Sequence, residues 1–293
     1  MGSPVLGGLT LKELALRVWR EANADNVFGT AAELAYYFLL ALFPMLLFLT
    51  TLVGFLPGVQ ENILHALAKV APGQAMDLVI KTLNDVVQNR SGGLLSFGVL
   101  GTLWAASSGV AALMGSLNAV YEVKEGRSFW KQRLVALGMT ILLSLLVMVG
   151  TLLVMFGDRL SAWLTSFLGL GPAFAVVWGI IDYLLGLALL LVGLDVIYYF
   201  GPNVKQKWRW ITPGAAFAVV GFMAVSVLFS FYLRFAPSYS ATYGSLGAVI
   251  VLMLWLYLAG MVALIGGEIN SEIEKAAGKS VTEKEPAEHH RAA

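Results

Sequence analysis

Cysteine is absent from this 293-residue chain. Its absence excludes disulfides, thiolate metal sites and cysteine nucleophiles, and it leaves the redox compartment open. Charge is scarce as well. Only 13% of residues are Asp, Glu, Lys or Arg, about half the roughly 25% of ordinary globular chains. A soluble fold needs charges to cover its surface; a surface facing lipid does not. The three histidines are His65, in a loop between apolar runs, and His289 and His290 near the end of the chain. They are not placed to converge on one metal. No HExxH, GxSxG or phosphate-loop pattern occurs, so neither catalysis nor a metal or cofactor is expected. The net charge of +1 supplies no field to gather nucleic acid.

What is present is apolar sequence, 58% of the chain. Crossing the ~30 Å hydrocarbon layer takes roughly 20 apolar residues in a helix. Runs of that kind extend over Leu34–Leu56, Leu94–Tyr121, Leu134–Phe156, Phe174–Phe200, Ile211–Leu233 and Leu246–Gly267. They predict an all-α, polytopic membrane protein with six transmembrane helices. Fourteen of the nineteen lysines and arginines fall in the segments on one side if the runs alternate across a membrane, among them Arg17, Lys124, Arg127, Lys205, Arg209 and Lys275. Cationic loops stay in the cytoplasm, so both termini are expected there.

The rest of the chain is organised around those spans. Residues 1–26 form an N-terminal segment in which Thr10 and Glu13 spell a capping box. This predicts a retained helix rather than a cleaved leader. Leu11, Leu14, Val18, Trp19 and Ala22 recur at helical spacing, which fits a helix lying in the membrane interface or one packed on the bundle. Residues 27–274 form the membrane domain, with a helical extracytoplasmic cap expected within 57–93. Residues 275–293 are charged and aperiodic, and read as a disordered cytoplasmic tail.

Acids inside or at the ends of spans are the first candidates for function: Glu33, Asp182, Asp195 and Glu268. A carboxylate at mid-bilayer costs about 2.5–3.5 kcal/mol on insertion scales, so it normally faces a polar interior. Glu33, Asp195 and Glu268 lie toward the cytoplasmic side, with Asp182 about 20 Å further out. Together they suggest a water-accessible, acid-lined vestibule that binds a cation, a proton or an amine. Boundary markers in the headgroup layer are the plainer reading of Glu33 and Glu268. Tyr36 and Tyr37 enter the first span, and Arg234 and Tyr243 stand near the outer loop between the last two. Such tyrosines suit an interfacial belt, while Arg234 among hydroxyls suits a phosphate or carboxylate headgroup. Pro44 frees a backbone carbonyl inside the first span and is a candidate hinge. The small residues of the second span, such as Gly101, Gly109 and Gly115, suit close helix packing or a sliding surface.

Several strings carry a resemblance. AAELAYYFLLALFPMLLFL (Ala31–Leu49), SLNAVYEV (Ser116–Val123), YYFGPNVKQKWRWITPGA (Tyr198–Ala215) and YSATYGSLGAVIVLMLWLYLAGMVALIGGEIN (Tyr239–Asn270) resemble the YihY/virulence-factor BrkB family of bacterial inner-membrane proteins, in order over about Leu11–Glu274. The resemblance implies a six-helix bundle in the inner membrane. Members once carried the label ribonuclease BN, generally regarded as misassigned, and others are linked to serum resistance and export of lipid A precursors. It marks Tyr36, Tyr37, Pro44, Asn118, Pro202, Tyr243, Gly244, Glu268 and Asn270, while Glu33 and Ala41 depart from the family pattern. The expected function is a transporter, of a lipid or another amphipathic envelope component, with membrane lipids as partners. A non-transporting scaffold for envelope proteins is the alternative.

Overall fold

The computed structural model describes residues 3, 6–54, 92–168, 172–235 and 238–278. Among them it holds seven helices: α1 (Leu11–Ala24), α2 (Val27–Gly54), α3 (Gly92–Val120), α4 (Phe129–Leu168), α5 (Pro172–Phe200), α6 (Pro213–Phe235) and α7 (Ser238–Ala276). The cap expected within 57–93 lies outside the described residues apart from the first two positions of α3, and the tail lies outside them beyond residue 278.

Helix α1 begins as its capping box predicts. The Thr10 amide donates to Glu13 Oε2 at 2.8 Å, and the Glu13 amide donates to Thr10 Oγ1 at 3.3 Å. Its apolar stripe is divided between two environments. Leu14 and Val18 are buried against Ile269 and Ile273 of α7, whereas Leu11 and Trp19 stay exposed. The turn into α2 is made at Asp25 and Asn26, where Asn26 takes φ 52°, a left-handed conformation that asparagine tolerates better than most residues.

The six long helices close a ring. Neighbours in order are α2, α3, α4, α5, α6 and α7, with α7 returning to α2 and α3 also touching α7 across the middle. Five of these helices are long and apolar enough to cross a membrane over described residues, and the described apolar part of α2 covers Val27–Leu42. Helix α2 continues through Pro44 to Gly54. The apolar run expected to end at Phe156 belongs to a 40-residue helix, α4, roughly 60 Å long at 1.5 Å per residue. The apolar run marked only part of α4, and the helix continues past it to Leu168.

Large apolar side chains such as Ile180, Leu184, Val220, Val227 and Leu228 point outward, as lipid contact requires. Among the described side chains, burial concentrates at one end. Ala31 and Leu34 of α2, Leu117 and Val120 of α3, Tyr198 of α5, Ala215 and Ala218 of α6 and Leu264 of α7 form one core there. The four segments that the charge pattern assigns to one side meet at this same end. Lys275 bonds Glu122 at 2.6 Å, Asn203 bonds the Lys124 carbonyl at 3.0 Å, and α1 lies on α7. The small face of α3 is only partly used: Gly109 abuts Ala41, while Gly101, Ser108, Gly115 and Ala119 are exposed.

Candidate functional site

The polar residues gather at that packed end, starting where α6 begins. Thr212 precedes Pro213, which opens α6 without needing a donor at that position. The Thr212 hydroxyl donates to Asp195 Oδ1 at 2.7 Å, and its backbone N–H donates to the same oxygen at 3.2 Å. The hydroxyl oxygen also accepts from the Ala215 amide at 3.2 Å and from Asn270 Nδ2 at 3.1 Å. Asn270 Oδ1 accepts from the Gly214 amide at 2.8 Å. The free N–H groups of the first turn are thus met by Asn270 of α7 and by the Thr212 cap, which Asp195 of α5 holds in place. Asp195 is 2% exposed, and its Oδ2 has no hydrogen-bond partner.

Close approach of α6 and α7 makes this possible. A Cβ built on Gly214 would overlap the Gly266 carbonyl oxygen and the Asn270 side chain. Beside them, the buried Tyr198 hydroxyl donates to the Ala263 carbonyl at 2.6 Å. Tyr198→Phe is expected to lower stability by about 1 kcal/mol, the net worth of one hydrogen bond, and thermal unfolding in detergent would measure it. Tyr121, fully buried, has Asn270, Asp195, Glu268 and Glu274 as its polar neighbours; its hydroxyl has no hydrogen-bond partner.

Two residues before Asn270 on α7, Glu268 is 0% exposed, and neither of its carboxylate oxygens meets a hydroxyl, amide or basic nitrogen. Its neighbour is the Asp25 carboxyl at the α1–α2 corner. Burial pushes the Asp25 carboxyl above the ordinary aspartate range, with the Glu268 hydrogen bond acting the other way. Further toward the end of α7, Glu272 bonds Lys275 at 3.0 Å and lies 3.8 Å from Arg17. Lys275 also holds Glu122.

A separate network ties the loop after α3 to the end of α5. Asn118 donates to Glu125 Oε2 at 2.9 Å and accepts from the Asn203 amide at 2.7 Å. Arg127, 8% exposed, forks onto Glu125 at 2.7 Å from both Nε and Nη2. It also donates to the carbonyls of Phe200 at 3.1 Å and Gly201 at 2.7 Å. These carbonyls close α5, so a cation there also suits the helix dipole. Asn118 therefore has a stitching role with fully assigned partners.

The sequence-derived candidates separate accordingly. Asp195, Glu268, Asn118 and Asn270 come together at one end. Asp195 and Glu268 are enclosed rather than lining an open vestibule, because Thr212 lies against the first and the α1–α2 corner against the second. Glu33 is exposed on α2 and joins neither. Tyr36 and Tyr37 are exposed, with their rings 5.8 Å apart in an edge contact. Asp182 lies on α5 against α4, where Gly157 leaves space for its carboxylate: an added Cβ would stand 3.0 Å from Oδ2. Its Oδ1 has no partner. The side chains of Arg234 and Tyr243 lie outside the described residues. Asp25, Thr212, Glu125 and Arg127 were not singled out from sequence. Thr212 alone carried a local signal, a threonine directly before a helix-opening proline. Among the described residues no three acid, histidine or cysteine side chains converge as a metal would need.

The sequence pattern of the family described as virulence factor BrkB matches residues 18–291. A ribonuclease-like protein of Bacillus subtilis (strain 168), YfkH, is 43% identical over 245 residues, covering 84% of this chain and 89% of its own. A UPF0761 membrane protein of Alteromonas mediterranea is 25% identical over 283 residues, 92% of this chain and 89% of the relative. Another from Laribacter hongkongensis is 27% identical over 278 residues, 92% of this chain and 63% of the relative. No solved structure matches. With its apolar helices and this match along most of its length, the chain is a multi-pass membrane protein, helical among its described residues, and belongs to the virulence factor BrkB family.

Proposed function

We propose that this protein is a transporter of the bacterial inner membrane, moving a lipid or another amphipathic envelope component and performing no covalent chemistry. In this reading α2 to α7 are the six spans, α1 rests partly in the interface on its Trp19 side, and residues 57–93 form an extracytoplasmic cap. Both termini are cytoplasmic, and the packed end of the bundle faces the cell interior.

One observation carries the reading. Among the buried polar atoms without hydrogen-bond partners, three stand at that end away from the Asp25–Glu268 pair: Asp195 Oδ2, the Tyr121 hydroxyl and the Ser271 hydroxyl. A leftover buried acceptor or donor costs about 1–3 kcal/mol, and a bundle built only to hold its shape would fill such positions with apolar groups. Capacity left open suits a site that a polar headgroup or a cation visits when the bundle opens. The enclosed acids then belong to an occluded state.

Liposomes carrying a fluorescent headgroup-labelled phosphatidylglycerol test this, with a membrane-impermeant quencher reporting exchange between leaflets. The wild type is expected to accelerate exchange over empty vesicles. Asp195→Asn should slow it about tenfold or more, the size expected when a hydrogen bond to a charged group, about 1.5–3 kcal/mol, is weakened. Equal rates in empty and loaded vesicles would count against transport of this lipid class. The alternative, a scaffold for envelope proteins, draws support from the exposed small residues of α3, which suit a partner helix. It predicts leaflet exchange no faster than in empty vesicles, together with α3-dependent co-purification of a membrane protein.

A further inference from the structure

We propose that Asp25 and Glu268 form a proton-binding site, holding one proton between two carboxyls and thereby latching the α1–α2 corner onto α7. The inference is independent of whether anything crosses the membrane through this chain.

The geometry leaves few alternatives. Glu268 is fully enclosed, and both its oxygens lack a donor from any hydroxyl, amide or basic nitrogen. Asp25 Oδ2 is buried and equally unpartnered. Asp25 stands between Ala22 and Val27, which pack in one cluster with Leu264, one turn before Glu268, and the two carboxyls act on each other there; yet two carboxylates are acceptors only and cannot bond each other. Two neighbouring like charges in a poorly solvated place resist joint ionisation, so one carboxyl keeps its proton.

The surrounding charges do not remove this need. From α1 come Arg17 and Glu21, from the loop after α3 Tyr121 and Glu122, from α5 Asp195, and from α7 Glu272, Glu274 and Lys275. Lys275 is held by Glu122 and Glu272, and Arg17 faces Glu272. The acids of this group outnumber its two cations, so the added field favours proton retention. The buried, unpartnered hydroxyls of Tyr121 and Ser271 stand in the same part of the bundle.

Binding and release balance simply: the carboxyl–carboxylate pair loses one proton to water and becomes two carboxylates. Their repulsion acts across the contact between the corner and α7, so release loosens α1. Uptake restores the shared hydrogen bond and closes it. The burial that raises the Asp25 carboxyl has the matching sign. A folded-state value above the ordinary one, about 3.9, gives stability that is present at and below that value. It is lost as pH rises through the folded value.

Infrared difference spectroscopy of the full-length protein in detergent tests the assignment through the stretch of protonated carboxyls. At neutral pH the wild type should show a buried protonated carboxyl that disappears in Asp25→Asn and in Glu268→Gln, since either amide supplies the donor without a titrating proton. Asp195→Asn should retain it. In parallel, the wild-type unfolding temperature should fall as pH rises from about 4, and this slope should vanish in both variants, which preserve shape and should fold. A carboxyl band unchanged by either variant, or a wild-type unfolding temperature flat over the same range, would overturn the proposal. So would a wild type whose pair is fully ionised and shifts only on adding sodium or potassium, which would make it a cation site.

Discussion

Arg127→Ala is expected to destabilise the protein by about 3 kcal/mol, the lower end of what removing one partner of a buried ion pair costs. The lower end applies because Glu125 keeps some solvent contact, with 23% of its side chain exposed. The loss is more than one charge pair. Arg127 joins Glu125 to the carbonyls of Phe200 and Gly201, so its removal leaves the carboxylate with only Asn118 and the residue-127 amide as donors and takes the guanidinium from two helix-ending carbonyls. Arg127→Lys should recover only part of this, because a point charge cannot span a carboxylate and two carbonyls as a planar fork does. Unfolding temperature in detergent, compared among the three proteins, checks both statements. The same network sets an acid limit. Burial alone would raise the Glu125 carboxyl, but Arg127 outweighs it and holds the group below the ordinary glutamate range. The resulting stability is present above about pH 4.3 and drains away as pH falls through the lowered value. In Arg127→Ala this acid sensitivity should be reduced.

Gly214→Val should be as damaging by a different route. Gly214 stands where α6 passes closest to α7, and even a Cβ would overlap the Gly266 carbonyl oxygen. That oxygen belongs to helix backbone and cannot swing aside as a flexible side chain would, so the helices must separate. Separation also pulls the Gly214 amide from Asn270 and Thr212 from Asp195. Overpacking of this kind costs about 1–3 kcal/mol, occasionally more, and lost caps at the start of α6 add about 1 kcal/mol. A monodisperse peak of wild-type yield and unchanged unfolding temperature would show that the contact tolerates a side chain. An intermediate loss is expected for Gly214→Ala.

The two networks differ in how readily they could be read beforehand. Asp195 and Glu268 stood out because an acid in a long apolar run is costly and seldom accidental. Glu33 met the same criterion and proved exposed; the criterion registers depth along the chain and is blind to which face of a helix turns inward. Asp25 failed it, since the acid sits in a polar turn between two helices where carboxylates are ordinary. Arg127 was counted only as one more cation in an inside loop. Its burial depends on the turn at residues 200–203 being brought against the loop after α3, a meeting of segments more than seventy residues apart.

By itself the sequence determined that this chain lives in lipid as a set of long helices, and that four of its cationic segments share one side. Those properties follow from length, hydropathy and charge counted along the chain, because lipid forces each apolar run to satisfy its own backbone as a helix. Which acids meet, and what they meet, was decided only by tertiary structure. Glu268 faces Asp25 and Asp195 faces Thr212 because the ring of helices brings α7 against α1 and α5 against the start of α6. Local patterns do not encode that pairing, since each helix alone would hold its carboxylate equally well in any rotation.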